Sequence, residues 1–183
     1  MAIATRLTLE EFTAIPDFDE RRLELIDGEV VEKPIPTTWN HGRAAGELYA
    51  ITRRLGSGAV EPRAMIPGSS ARAASSPLPD FAFYVSGPPP DGRWMVDPPT
   101  IVAEVLSPGQ THRAMQTKVD LYLTFGVKSV WVIDLDGETF EVFEGESRRL
   151  WRAGETLRTA FVPGLAINLG GFFREVKGPN PES

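Results

Sequence analysis

The sequence of 183 residues contains no cysteine, which excludes disulfides, thiolate nucleophiles, zinc fingers and iron–sulfur clusters. Histidine occurs twice, as His41 and His112, too seldom for a histidine-rich metal site. Positive charge is also scarce: 19 Lys and Arg stand against 25 Asp and Glu, a formal net charge of −6 with a pI near 5.0. No global positive field therefore draws in nucleic acid, and any polyanion site must be local. No apolar run reaches the ~18 residues that a membrane span needs. The opening residues show no long apolar stretch behind Arg6, so the expectation is a cytoplasmic protein with no membrane partner. There is no G-x-S-x-G elbow and no G-x-x-x-x-G-K-[ST] loop, and Gly56-Ser57-Gly58 is a mere fragment of a dinucleotide fingerprint. No internal repeat or heptad pattern is present.

What the chain does contain is ordinary for a globular protein, 42% hydrophobic and 24% charged residues. The length suits one domain, expected over residues 1–176, with a short polar tail at 177–183. With 17 Gly and 16 Pro, many turns are expected.

Thr8 with Glu11 three residues later is a capping-box pattern, predicting a helix from Leu9 to about Ile15, stopped by Pro16. Asp27-Gly28 between Leu23–Ile26 and Glu29–Glu32 predicts a hairpin with a tight turn. Ala44, Leu48, Ile51 and Leu55 are spaced as one helical face, so a helix is expected over 41–55, ended by Gly56 and Gly58, with a strand over 59–66. Phe81–Val85 and Ile101–Leu106 look like central strands, and residues 110–125 like a helix ended by Gly126. Ser129–Ile133 is a further buried strand, and the turn at Asp136-Gly137 leads into an alternating strand, Thr139–Phe143, near a sheet edge. Arg148–Trp151, Thr156–Arg158 and Leu165–Ile167 are short extended pieces. Helices alternating with strands in this way give an α/β or α+β fold with one mixed sheet.

Three charged residues occupy places that should be apolar. Glu104 interrupts the run Ile101-Val102-Ala103 and Val105-Leu106; a buried carboxylate must shift its pKa, meet a cation or bind a metal. A structural salt bridge and a functional site are both open readings of it. Asp80 stands at the threshold of the preceding strand, after Pro79, and two neighbouring strands would set it beside Glu104, where two carboxylates repel unless a proton or cation intervenes. A hard cation such as Mg²⁺ uses this arrangement. Lys118 falls in the middle of an apolar helical face with Ala114, Leu121 and Phe125, widened by Met115 and Tyr122. It either snorkels along that face or turns inward to the carboxylates. Glu24, alternating with Leu23 and Leu25 and following Arg21 and Arg22, has the pattern of a solvated strand residue. His41 is suited to a contact at the start of a helix, to phosphate, or to a role as an acid. Arg93-Trp94-Met95 is either a clamp or a loop packing its Trp on the body.

Taken together, Arg22–Val31, Pro79-Asp80-Phe81, Val102–Pro108, Lys118–Tyr122 and Trp131–Asp134 resemble the Uma2 family, over a stretch from Leu7 to about Phe173. This family, once catalogued as a domain of unknown function, is described as restriction endonuclease-like, with a PD-(D/E)XK nuclease core. The resemblance implies a mixed central β-sheet flanked by helices, with additional N-terminal and C-terminal β-hairpins, and a metal-dependent endonuclease that hydrolyses DNA. Carried over by position, Asp80 and Glu104 would be metal-binding carboxylates, with the Val105 carbonyl as a further ligand and Glu24 as a third acidic residue near the metal. A textual motif would place Lys two residues after Glu104, where Leu106 stands; Lys118 on the following helix is the matching residue. Ala114 replaces an acidic residue frequent in relatives, and Thr111-His112-Arg113 is atypical.

The expected cofactor is Mg²⁺ or Mn²⁺, polarising a phosphodiester and activating a water that Lys118 places. His41, Arg43 and Arg113 are candidate substrate contacts, and Arg43, Arg53, Arg54 and Arg113 supply local positive charge. Two alternatives keep the fold: a catalytically weak or inactive module that binds nucleic acid or protein, and a structural module whose internal charges form a salt-bridge cluster. A homodimer is expected through C-terminal strands carrying Phe140, Phe143 and Trp151. The enzymatic expectation depends on residues 80, 104 and 118 converging in a solvated acidic pocket with an ammonium group at its rim.

Overall fold

The computed structural model describes residues 6–34, 38–70, 72–87, 92–107 and 110–178. Helix α1 (Leu9–Thr13) opens on the expected capping box: the Thr8 hydroxyl accepts the Glu11 N–H at 3.2 Å, and the Glu11 carboxylate accepts the Thr8 N–H at 2.8 Å. Strands β1 (Leu23–Ile26) and β2 (Glu29–Glu32) pair antiparallel, and Asp27 and Gly28 have φ of 50° and 81°, as a type I′ turn requires. Next come α2 (Trp39–Thr52), β3 (Ser57–Val60), β4 (Phe81–Tyr84), β5 (Ile101–Val105) and α3 (His112–Phe125). The chain continues through β6 (Ser129–Asp134), β7 (Thr139–Glu144), β8 (Ser147–Arg152), the short strands β9 (Thr156–Leu157) and β10 (Ile167–Asn168), and α4 (Leu169–Lys177).

The central sheet has six strands in the order β3-β4-β5-β6-β7-β8. All neighbours are antiparallel except β5 and β6, which run parallel and are joined by α3, since parallel strands need a crossover connection. Side chains alternate between the two faces. Phe81, Phe83, Ile101, Ala103 and Val105 join Trp131, Ile133 and Phe140 in a core with α2 and α4. Ala82, Tyr84, Val102, Val130 and Val132 pack with Met115, Val119 and Tyr122 of α3. By the same alternation Glu104 belongs to the α3 face. The ladder pairs Phe81 with Ala103, so one step further sets Asp80 opposite Glu104.

A third cluster of Phe12, Leu23, Leu25 and Ala74 holds the β1–β2 hairpin to the body. Arg63, 3% exposed, clamps it: Nη1 donates to the Leu23 carbonyl at 2.8 Å, Nε donates to Asp19 at 2.7 Å, and the guanidinium lies 5.0 Å from the Phe18 ring centroid.

Several boundaries differ from expectation for identifiable reasons. The strand expected over 59–66 ends at Val60, because Glu61 takes φ 50° and Pro62 follows; only isolated bridges at Ala64 and Ile66 continue it. Helix α2 starts at Trp39 and ends at Thr52, whose hydroxyl donates to the Leu48 carbonyl at 2.8 Å. The expected additional N-terminal and C-terminal hairpins are the two-stranded sheets β1–β2 and β9–β10, while β7 and β8 extend the central sheet. Helix α4 falls where no helix is expected, and Lys177 belongs to it instead of a tail; residues 179–183 lie outside the described residues. Among the described residues no helix is long and apolar enough to cross a membrane.

Gly56 sits where a strand passes closely over the helix end: a Cβ there would meet the Tyr84 carbonyl oxygen at 2.2 Å. Gly56→Ala is therefore expected to lower the unfolding free energy by about 1–3 kcal/mol, an overpacking cost, read as a reduced midpoint in urea. An unchanged midpoint would show that β3 and β4 can separate without penalty.

Candidate active site

Sheet register and helix phase together bring the charged residues to one point. Asp80 is fixed by its backbone, whose carbonyl accepts the Glu61 N–H at 3.0 Å. Its Oδ2 accepts the Val105 N–H at 2.7 Å, and its Oδ1 accepts the Lys33 ammonium at 2.6 Å. Lys33 also donates to the Leu78 carbonyl at 2.5 Å. From α3, residues one turn apart reach down to Glu104: Oε1 accepts the Tyr122 hydroxyl at 2.6 Å and the Lys118 ammonium at 3.2 Å. Glu104 Oε2 has no hydrogen-bond partner and lies 3.8 Å from Lys33 Nζ. Lys118 bridges onward to Glu24 Oε1 at 2.8 Å, which also accepts the Leu78 N–H at 2.7 Å. His41 completes the cluster from α2, its Nε2 lying 3.2 Å from the Val105 carbonyl oxygen and 3.4 Å from Asp80 Oδ2.

The cluster is buried. Asp80 and Glu104 are each 1% exposed, Glu24 3%, Lys33 5% and Lys118 8%. The expected open, solvated acidic pocket is thus replaced by three carboxylates answered by two ammonium groups, with lysines instead of arginines as the partners. Its outlet is a cavity of about 640 Å³ lined by Glu24, Lys33 and Lys118, with Arg113, Ala114 and Thr117 of α3 on its wall.

Burial sets the direction of some pKa shifts and is overruled in others. It raises the Glu104 carboxyl above its ordinary value, because Lys118 and Lys33 offset only part of the desolvation while Asp80 and Glu24 add repulsion. Desolvation would also raise Asp80, but the His41 hydrogen bond and the Lys33 charge outweigh it and hold Asp80 well below the usual carboxylate range. Burial disfavours the Lys118 ammonium, yet the charges of Glu104 and Glu24 prevail and keep it above the ordinary lysine value. For His41, too, desolvation is outweighed by Asp80, and its pKa rises from 6.5. Burial and the Glu104 charge raise the Tyr122 hydroxyl, which stays a donor.

Asp80, Glu104, Lys118, Glu24, His41 and the Val105 carbonyl therefore meet at one place. The solvated reading of Glu24 is overturned, since both faces of β1 are covered; the snorkelling reading of Lys118 fails because its ammonium ends in two buried ion pairs. Arg113 is exposed at the cavity wall, whereas Arg43, Arg53 and Arg54 are exposed on and after α2, and Arg43 reaches toward Gly178. Within Arg93-Trp94-Met95 it is Met95 that packs on the body, buried with its backbone bonded to Arg63 and Met65 at 2.8 and 2.9 Å, while Trp94 is half-buried beneath the Arg93 guanidinium. Phe140 and Phe143 are buried in the two sheet cores and Trp151 is partly buried, so Phe140 and Phe143 are not available for pairing with a second copy. Two members escaped the sequence reading. Tyr122 was discoverable as the residue one helical turn after Lys118; Lys33 follows a strand exposed along its whole length, and no local pattern marks it. Among the described residues no three His, Cys, Asp or Glu side chains form a ready-made metal cluster.

A family model, Uma2, described as putative restriction endonuclease, matches residues 9–170, and the chain belongs to that family. No curated protein matches the chain. Among solved structures, a putative nuclease of DUF820 from Anabaena variabilis ATCC 29413 superposes with a TM-score of 0.77 at 22% identity, covering 93% of this chain and 99% of that one. The shared architecture is the restriction endonuclease-like arrangement of a mixed sheet flanked by helices, and family and fold together make this a nuclease-like protein.

The site has a pH signature. A carboxyl held below its unfolded value of 3.8 contributes stability that is present above that pH and lost as pH falls through the folded value. His41, raised above 6.5, contributes stability below that pH and loses it as pH rises through its folded value. Asp80→Asn breaks a buried pair and is expected to cost about 3–5 kcal/mol at neutral pH. In urea titrations across the acid range, the gap between wild type and variant should narrow below pH 3.8; a gap of constant size would contradict the assigned direction.

Proposed function

We propose that this Uma2-family chain is a metal-dependent endonuclease that hydrolyses DNA phosphodiester bonds at the Asp80–Glu104 pair, with Mg²⁺ or Mn²⁺ as cofactor. The observation that carries the reading is Glu104 Oε2, a buried carboxylate oxygen with no hydrogen-bond partner, next to an acid held ionised. An unsatisfied charged oxygen in the interior is costly unless a cation completes it. The donor set is all hard oxygen, which suits Mg²⁺ or Mn²⁺: Asp80, Glu104 and the Val105 carbonyl would hold the ion, with Glu24 as the third acid behind Lys118. Once bound, such an ion polarises the phosphodiester and lowers the pKa of its water.

The side chains of the chain itself divide the remaining work. Lys118 stays protonated between Glu104 and Glu24, so it donates hydrogen bonds and positive charge to a phosphoryl oxygen or a water and does not act as a base. Tyr122 pins Glu104 Oε1 and leaves Oε2 as the free oxygen. His41 supports both Asp80 and the Val105 carbonyl. Arg113 at the cavity wall offers positive charge to the DNA backbone in a chain of net charge −6.

One observation favours a second reading, a catalytically weak or inactive module that binds nucleic acid or protein: Lys33 and Lys118 already neutralise much of the acidic cluster. A plasmid-nicking assay separates the two. Wild type should nick with Mg²⁺ or Mn²⁺, and Lys118→Met, its fold verified by circular dichroism, should be slower by about 10²–10³-fold, the effect of removing one preorganised charge. No nicking with either metal at high protein concentration would support the inactive module.

Homodimerisation belongs to the same proposal, through β8, which leaves one edge of the central sheet unpaired. Two of its three arginines are answered within the chain, Arg148 by Glu141 and Arg149 by Glu155, which lessens the repulsion between two such edges. Light scattering should give twice the chain mass of 20.1 kDa; the single mass would remove the idea.

A further inference from the structure

Lys33 is the one buried charge of the cluster that the mechanism does not use. Its ammonium lies between the two carboxylates assigned to the metal, 2.6 Å from Asp80 Oδ1 and 3.8 Å from Glu104 Oε2. The latter oxygen is the one without a hydrogen-bond partner. We propose that Lys33 is an internal counter-cation that competes with the divalent ion for the Asp80–Glu104 pair, so that the ion is admitted as the lysine side chain withdraws. This rests on the metal-nuclease reading above and adds to it a residue that sets metal affinity.

Charge and space both support the exchange. The Lys33 ammonium already stands between Asp80 Oδ1 and Glu104 Oε2, and two cations on one pair of carboxylates repel, so a divalent ion and the ammonium exclude each other there. The side chain has somewhere to go, because Lys33 lines the cavity of about 640 Å³ through which the cluster reaches solvent. Its backbone need not move: the Lys33 N–H is held by the Arg22 carbonyl at 3.0 Å, and the flexible four-carbon stem absorbs the change. Withdrawal gives up the hydrogen bond to the Leu78 carbonyl, a neutral acceptor that water in the cavity can satisfy.

The test is direct Mn²⁺ binding to the full chain, by calorimetry and by the electron paramagnetic resonance of free Mn²⁺, for wild type, Lys33→Met, Lys33→Gln and Glu104→Gln. Lys33→Met removes the charge at similar length, and Lys33→Gln keeps a donor for Leu78. Both should bind Mn²⁺ at least tenfold more tightly than wild type, and Glu104→Gln should bind more weakly. If Lys33→Met folds only when Mn²⁺ is added, as seen by circular dichroism, the ion has taken over the place of the ammonium and the proposal stands. Lysine variants that bind Mn²⁺ no more tightly than wild type, or that stay unfolded at every Mn²⁺ concentration, overturn it while leaving the metal-nuclease reading intact. Absence of Mn²⁺ binding in wild type and both lysine variants overturns that reading and this one together.

Discussion

The Lys118 ammonium, shared between Glu24 and Glu104, is the contact on which the rest of the site depends. It joins a hairpin, the central sheet and the crossover helix through a single charged group. A lone carboxylate as deeply buried as Glu104 would be untenable, and so would a lone lysine in the apolar face of α3. Each makes the other possible, and the Tyr122 hydroxyl removes the remaining demand of Glu104 Oε1. The same charges that hold the structure together therefore hold Lys118 protonated, which limits its chemistry to donation.

Where an apolar pattern surrounds a charge, the charge was visible from sequence. Glu104 sits in a strand covered on both faces, and Lys118 in a helix face that is otherwise apolar, so periodicity alone marked both as anomalies. Asp80 became informative once the two strands were neighbours, because the ladder sets it across from Glu104. Glu24 defeated the alternation rule: β1 has Leu23, Glu24 and Leu25 all buried, since the hairpin leans one face on the Phe12 cluster and turns the other to α3. A two-residue period reports a solvated face only if one face is solvated.

Other features were hidden for different physical reasons. Lys33 becomes buried because Arg22 fixes its backbone and Asp80 draws in its ammonium, contacts separated by many residues in the chain. Helix α4 carries Leu169, Phe172, Phe173 and Val176 at helical spacing, but Gly170 and Gly171 argue against a helix. The Asn168 side chain, accepting the Gly171 N–H at 2.7 Å, and burial of both phenylalanines against Phe140 overcome that preference. Of the aromatic residues of the C-terminal strands, Phe140 and Phe143 are consumed by the chain's own core, while Trp151 packs against it half-buried.

The cluster also gathers residues from distant parts of the chain: Lys118 meets Glu24 across 94 positions and Lys33 meets Asp80 across 47. No contiguous fragment shorter than that first span can assemble it. Contacts of such long range close late, after local helices and hairpins have formed. A half-folded chain would therefore display its carboxylates scattered and hydrated, without the orphaned oxygen or the ammonium that faces it, and the assembled cluster would arrive only with the last stage of folding.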